Sequence, residues 1–203
     1  MSYFRYWGPF VWKSEVEKDF VSLLLEKGNE AKALNQDHRK YLAGQLEHEY
    51  YYKDTEEWFN PLFKPHLSEY LNQFVLHWNG IFEVGTSFEI HEMWINYQGP
   101  GEYNPPHTHK GDLSFIIYLQ VPDEIRIENE ERGLTHNNFG PGMINFNFNV
   151  PMSWALSIWS YMPMVEDLII FPSWLEHYVN DFKSDVERIS MSGNLKFEAN
   201  AVE

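Results

Sequence analysis

The chain has 203 residues and a mass of 24.2 kDa, enough for one domain with a sizeable core. Its net charge of −15 repels phosphate backbones, so neither nucleic acid nor a free acidic polymer is an expected partner. It contains no cysteine, which excludes disulfides, thiolate metal sites and cysteine nucleophiles and fits the cytoplasm.

Apolar residues make up 43% and charged residues 22%, ordinary values for a globular protein. Aromatics reach 17%, with eight Trp, which suits an aromatic core or pocket wall. No stretch approaches the length of an uninterrupted apolar span, and MSYFRYWGPF lacks a secretion pattern. The expectation is a soluble, cytoplasmic protein with no membrane partner.

Residues 1–12 mix aromatic and polar side chains and predict a first strand. Ser14 and Glu17 have capping-box spacing, Phe20, Leu23 and Leu24 follow at helical spacing, and Gly28 is a stop signal; together they predict a helix over about 15–27. Residues 36–48 read as a polar loop followed by a helical turn or short strand. Asp54 or Thr55 can cap a second helix over 55–77, interrupted at Pro65 and ended by Asn79-Gly80. From Ser87 the period changes to two. SFEIHEMWINYQ and LSFIIYLQVP read as strands, 123–141 as a polar loop, and INFNFN, WALSIW, DLIIF, HYV and RISMSGNLKF as further strands. About eight short strands after two helices predict a mainly β sandwich or jelly roll with flanking helices. No linker divides 1–203, so one domain is expected, with 1–85 a helical N-terminal support and 86–197 the β core. The tail EANAVE is expected to fray.

The chemistry concentrates in WINYQGPGEYNPPHTHKGDLSFIIYL. His107 and His109 are two apart, so an extended chain turns both imidazoles to one face, where they can grip one metal ion. The ordinary reading of His107 is a loop histidine capping Pro105-Pro106. His177 lies five residues after Pro172, behind the apolar run Leu168–Phe171. Eleven positions further, Arg188, Ser190 and Ser192 alternate with Ile189, Met191 and Gly193. The ordinary reading of Arg188 is a strand-start residue in water, paired with Glu187. His38, His48, His66, His77, His91 and His136 have no partner at metal spacing and receive no role. Trp94, Trp154, Trp159 and Trp174 are expected in the core or pocket wall.

YQGPGEYNPPHTH, LSFIIYLQVP, IIFPSWLEHYV and ERISMSGNL, in this order, make the sequence resemble the Fe(II)/2-oxoglutarate-dependent oxygenases, closest to small bacterial and phage members with a prolyl-hydroxylase-like core. The resemblance covers roughly residues 88–197. It implies a double-stranded β-helix of cupin-like jelly-roll form and a dioxygenase that uses Fe(II), 2-oxoglutarate and O2. Such an enzyme would hydroxylate a small molecule or peptide residue while 2-oxoglutarate becomes succinate, in the host cytoplasm if phage-encoded. The family's first motif is His-x-Asp, whereas the third position here is His109. His107, His109 and His177 are therefore the expected ligands, with Asp112 an alternative carboxylate. Arg188 would hold the cosubstrate's far carboxylate, helped by Ser190, Tyr118 and Tyr97, although either tyrosine could equally be a core residue. Asn104 sits near the pair and could line the site.

Two other readings remain open at this stage. GEYNPPHTH also fits the glycine-to-His-x-His pattern of cupins, but Trp174 stands where their later glycine belongs. That reading gives a metalloenzyme without 2-oxoglutarate. The other is a non-catalytic jelly-roll binding module.

Overall fold

The computed structural model describes residues 8–80, 87–131, 140–149 and 156–197. Among these residues the chain forms β1 (Trp12–Glu15), α1 (Lys18–Ala33), β2 (His48–Tyr51), α2 (Thr55–Trp58), α3 (Asn60–His77), β3 (Phe88–Gln98), β4 (Asn104–His107), β5 (Leu113–Gln120), α4 (Asp123–Glu131), β6 (Ile144–Asn147), β7 (Ile158–Tyr161), β8 (Asp167–Pro172), β9 (Glu176–Val179) and β10 (Arg188–Phe197). A six-stranded sheet has the order β1-β8-β5-β10-β3-β2, and a four-stranded sheet the order β4-β9-β6-β7. Every pairing is antiparallel. Two sheets with helices outside are the jelly-roll arrangement expected from the alternating segments. No helix among the described residues is long and apolar enough to cross a membrane.

The larger sheet is covered on both faces, which is why β5 and β8 read as unbroken apolar runs. Phe115, Ile117, Leu168 and Ile170 face the helices, joining Leu24, Phe59, Phe63 and Leu67. Ile116, Tyr118, Ile169 and Phe171 face the smaller sheet, joining Ile144 and Phe146. Phe63 and Phe115 have ring centroids 4.4 Å apart, which fixes α3 against the middle of the sheet.

The N-terminal part does more than support the sheet from outside, because β1 and β2 form its two edges. Ser14 lies in β1 opposite Leu168, so the expected capping box does not form; Glu17 occupies the cap position without a side-chain cap bond. Nor does Gly28 stop α1. It is buried, and a Cβ there would collide with Ile95 and come within 3.0 Å of the Tyr52 hydroxyl. Gly28 is thus a point of close approach between helix and sheet. The helix ends at Asn35 (φ 50°), where Asn35 N–H donates to Lys32 O and Gln36 N–H to Ala31 O, each at 3.0 Å.

Pro65 sits inside α3 without ending it. Its ring is exposed, so the backbone groups left unpaired nearby can meet water. The expected loop 123–141 begins as α4, whose surface carries an Arg126–Glu130 ion pair and whose buried anchor is Ile125. Charge so dominates this segment that its single inward residue gives little periodic signal. The expected strand 154–159 appears as β7 at 158–161, while Trp154 and the tail lie outside the described residues.

Candidate metal centre

The facing sheets enclose a cavity lined by β2, β3, β5 and β10 on one side and by β4 and β9 on the other. On β10, alternation turns Arg188, Ser190, Ser192 and Asn194 toward it, while Ile189, Met191 and Leu195 enter the helix-side core. His107 on β4 pairs in register with His177 on β9, placing both rings on the inner face. His109 follows two residues after His107 and its backbone N–H donates to Ser173 O at 2.9 Å. One ring nitrogen of each of His107, His109 and His177 lies within 4.8 Å of the others.

The surroundings of these imidazoles suit metal binding. His107 Nδ1 meets Pro105 O at 2.7 Å, and His177 Nδ1 meets Leu175 O at 3.0 Å. A carbonyl only accepts, so each Nδ1 carries the proton and each Nε2 keeps its lone pair. The feature read as a Pro105-Pro106 cap therefore orients a cavity histidine. Burial lowers the pKa of all three rings, that of His109 to about 4, and mutual repulsion between the rings lowers His109 and His177 further. The set is neutral at pH 7 and carries no ligand charge.

Asp112 is not part of this cluster. Its Oδ2 accepts from Phe197 N–H at 2.8 Å, and its backbone N–H donates to Leu195 O at 2.8 Å. It ties the loop after His109 to the far end of β10, beside Lys110 and His91 at the surface. Tyr97 also lies elsewhere. On β3 it shares parity with Met93 and Ile95, which face the helices, whereas Trp94 and Asn96 face the cavity. The Tyr97 hydroxyl donates to Asn29 Oδ1 at 3.0 Å and its ring lies beneath Lys32, so it is a core tyrosine.

Arg188 is 2% exposed and no carboxylate pairs with it among the described residues, so the Glu187 ion pair is not formed. One guanidinium nitrogen donates to Gly142 O at 2.9 Å, while Nε has no partner. The guanidinium carbon lies 5.6 Å from the Tyr118 ring centre, and the buried Tyr118 hydroxyl is also unpartnered. Ser190 lines the same region. Burial lowers the Arg188 pKa and raises that of Tyr118. A buried cation with unused donors beside an unused hydroxyl suits an anion with several acceptor atoms, such as a carboxylate. Two donor sets in one cavity, neutral imidazoles at one place and a cation at another, fit a divalent metal and a dicarboxylate cosubstrate.

Other lining residues carried little signal. Asn104, considered near the pair, does line the cavity, as do Asn194 and Trp94, whose ring packs 5.5 Å from His109. Ser114 Oγ donates to Asn194 Oδ1 at 2.7 Å and lies 3.0 Å from Ser173 Oγ. Asn194 in turn reaches Glu92, which pairs with His38 at 2.7 Å. His38 therefore has a structural partner, although nothing in its neighbouring sequence names it. Trp159 stacks on Phe146 but is 41% exposed, and Trp174 is 57% exposed; neither belongs to the core or the pocket wall.

Glu49 on β2 and Asn96 on β3 are the larger omissions. They are register partners, both buried and both lining the cavity. Burial, with Glu102 and Asp37 adding repulsion against the weaker pull of Arg39, raises the Glu49 pKa from 4.5 to about 7. The folded state thus holds this proton more tightly than the unfolded state, so stability falls as pH rises from about 4.5 to about 7. Glu49→Gln removes that penalty. It should raise stability by about 1–3 kcal/mol above pH 7, with no gain at pH 4, since each unit of pKa shift is worth about 1.4 kcal/mol. Denaturant titrations at the two pH values check this; equal midpoints for both proteins at pH 8 would contradict it.

Residues 92–194 match the family described as "Putative 2OG-Fe(II) oxygenase". No curated protein matches the sequence. Among solved structures, a Pseudomonas putida prolyl-4-hydroxylase aligns at TM-score 0.59 and 12% identity, covering 93% of each chain. A viral collagen prolyl hydroxylase from Paramecium Bursaria Chlorella virus-1, solved with 2OG, aligns at TM-score 0.57 and 12% identity over 93% of this chain and 96% of that one. A Trichoplax adhaerens prolyl hydroxylase, solved with a hypoxia inducible factor peptide fragment, aligns at TM-score 0.52 and 12% identity over 93% and 82%. These likenesses support the fold. With the family match spanning about half the sequence, they place the chain among the Fe(II)- and 2-oxoglutarate-dependent oxygenases, dioxygenases that use Fe(II), 2-oxoglutarate and O2.

Proposed function

We propose that His107, His109 and His177 hold the iron, that Arg188, Tyr118 and Ser190 hold the far carboxylate of 2-oxoglutarate, and that the enzyme hydroxylates a small molecule or a peptide residue. The observation that carries this reading is the pairing, in one cavity, of three converging neutral imidazoles with a buried, unpaired Arg188. Iron, when bound, supplies oxygen activation coupled to decarboxylation of 2-oxoglutarate to succinate.

The chain's own residues do the remaining work. Pro105 O and Leu175 O hold the His107 and His177 tautomers. Phe146 and Phe171 pack against His177 and keep water from that side of the triad. Arg188 offers donors in a planar fork, which matches a carboxylate in two contacts and fixes the cosubstrate's direction. Residues 1–203 act as one domain in this reading, because β1 and β2 complete the larger sheet. The cysteine-free composition suits the cytoplasm.

An anaerobic titration with Fe(II) and then 2-oxoglutarate, followed optically, tests cofactor use without a known substrate. The expected result is an absorption change that saturates at one equivalent of each, and succinate on admitting air. A protein that binds Fe(II) but neither changes absorption with 2-oxoglutarate nor forms succinate would favour the cupin-like reading.

A further inference from the structure

Four residues line up across the cavity floor. Tyr118 on β5 is in register with Ser190 on β10, Ser190 with Asn96 on β3, and Asn96 with Glu49 on β2. All four line the cavity. Adjacent strands are about 4.8 Å apart, so Glu49 stands roughly 10 Å from Ser190 and roughly 14 Å from Tyr118 along this row. A cosubstrate held at Arg188 and Tyr118 therefore lies at the opposite end of this row from Glu49.

At the Glu49 end two buried acceptors lack donors. Glu49 is 1% exposed and Asn96 3%, yet Glu49 Oε2 and Asn96 Oδ1 have no hydrogen-bond partner. Arg39, the basic residue acting on Glu49, is engaged by Asp37 through two contacts of 2.9 and 2.7 Å. Glu102 adds a second negative charge and is occupied by the backbone N–H groups of Glu47 and Gly99, each at 2.7 Å. The segment containing Gly44 closes over the place, since a Cβ at Gly44 would lie 2.5 Å from both Glu49 Oε1 and Asn104 Oδ1. Buried acceptors are costly without donors, and a carboxylate is satisfied best by a cationic N–H group.

We propose that Glu49 and Asn96 are the substrate-recognition pair of this enzyme, and that the substrate presents a protonated amine to them. This rests on the oxygenase reading of the cavity. The amine would donate hydrogen bonds to Glu49 Oε2 and Asn96 Oδ1, anchoring one end of the substrate while its reacting carbon lies toward the histidines. The protein's −15 charge draws such a cation toward the cavity.

The test uses n-propylammonium as probe and n-propanol as its neutral counterpart. Each is titrated into the full chain loaded with Mn(II) and 2-oxoglutarate, and broadening of the probe's proton signals by Mn(II) is measured. Saturable broadening is expected for n-propylammonium, with binding about tenfold or more weaker for n-propanol, the scale of one charge-assisted hydrogen bond. Glu49→Gln should lose the preference for the cation, and Glu49→Asp, which keeps the charge, should retain part of it. Equal binding of both probes, undiminished n-propylammonium binding by Glu49→Gln, or no saturable binding of either probe would overturn the proposal. Mn(II) binding is read by its own resonance in the same sample. A protein that does not hold Mn(II) overturns the metal assignment instead, and saturation transfer from the metal-free protein to n-propylammonium then still reads Glu49. Thermal melting shows that each variant is folded.

Discussion

His177→Ala should weaken Fe(II) binding by more than the roughly ten- to hundredfold that losing a ligand's supporting partner costs elsewhere. His177 has the strongest claim of the three. It is 3% exposed, its register partners are His107 on β4 and Phe146 on β6, and its ring packs 4.8 Å from Phe171. Removing the imidazole leaves His107 and His109, neither of which brings a charge to the metal. Among the described residues no carboxylate joins the three histidines, and Asp112 is committed to the end of β10. The fold should survive with a cost of about 2–5 kcal/mol for an emptied buried site. Isothermal titration with Fe(II) under argon, beside a thermal melt, separates the two effects. Affinity within a fewfold of wild type in the folded variant would remove His177 from the metal site.

Much of the fold was legible because two-residue alternation is a strong signal where one face is buried and the other is distinct. The same rule brought Arg188, Ser190 and Ser192 of β10 to one face; His109 lies two residues beyond the end of β4, so spacing rather than a shared strand joins it to His107. Tyr97 was placed near the site by the family resemblance and not by alternation. Parity with Trp94 and Asn96, the cavity-facing residues of β3, would have turned Tyr97 to the helices. Glu49 shows a different limit. It enters the cavity only because β2 pairs with β3 in one particular register, a long-range fact with no local trace in HEYY. Asn96 was more accessible, since a polar residue between Ile95 and Tyr97 on a buried strand asks for a partner. Gly28 failed as a stop signal for a related reason. Its conformational freedom suggests an end, but its missing side chain is what lets α1 approach Ile95.

Arg188→Met should weaken 2-oxoglutarate binding by roughly tenfold to several-hundredfold while leaving Fe(II) binding unchanged. The side chain keeps most of its length and loses its charge. Hydrogen bonds to charged groups contribute about 1.5–3 kcal/mol each, and about 1.4 kcal/mol is one decade of affinity. One guanidinium nitrogen already serves Gly142 O, so a carboxylate would use the remaining donors, including the unpartnered Nε. The variant also removes the Gly142 contact, at about 1.5–3 kcal/mol of stability, which a melt would show without touching affinity. No hydrogen bond joins Arg188 to His107, His109 or His177, so the metal should not register the change. Tyr118→Phe is the smaller companion, because it deletes one unpartnered hydroxyl and keeps the ring beside Arg188. If the two variants lower 2-oxoglutarate affinity in that order while Fe(II) titrations overlay with wild type, the cosubstrate lies along Arg188 and Tyr118. If a folded, iron-loaded Arg188→Met protein binds 2-oxoglutarate as tightly as wild type, the cosubstrate lies elsewhere in the cavity, and the buried charge on β10 needs another anion to explain it.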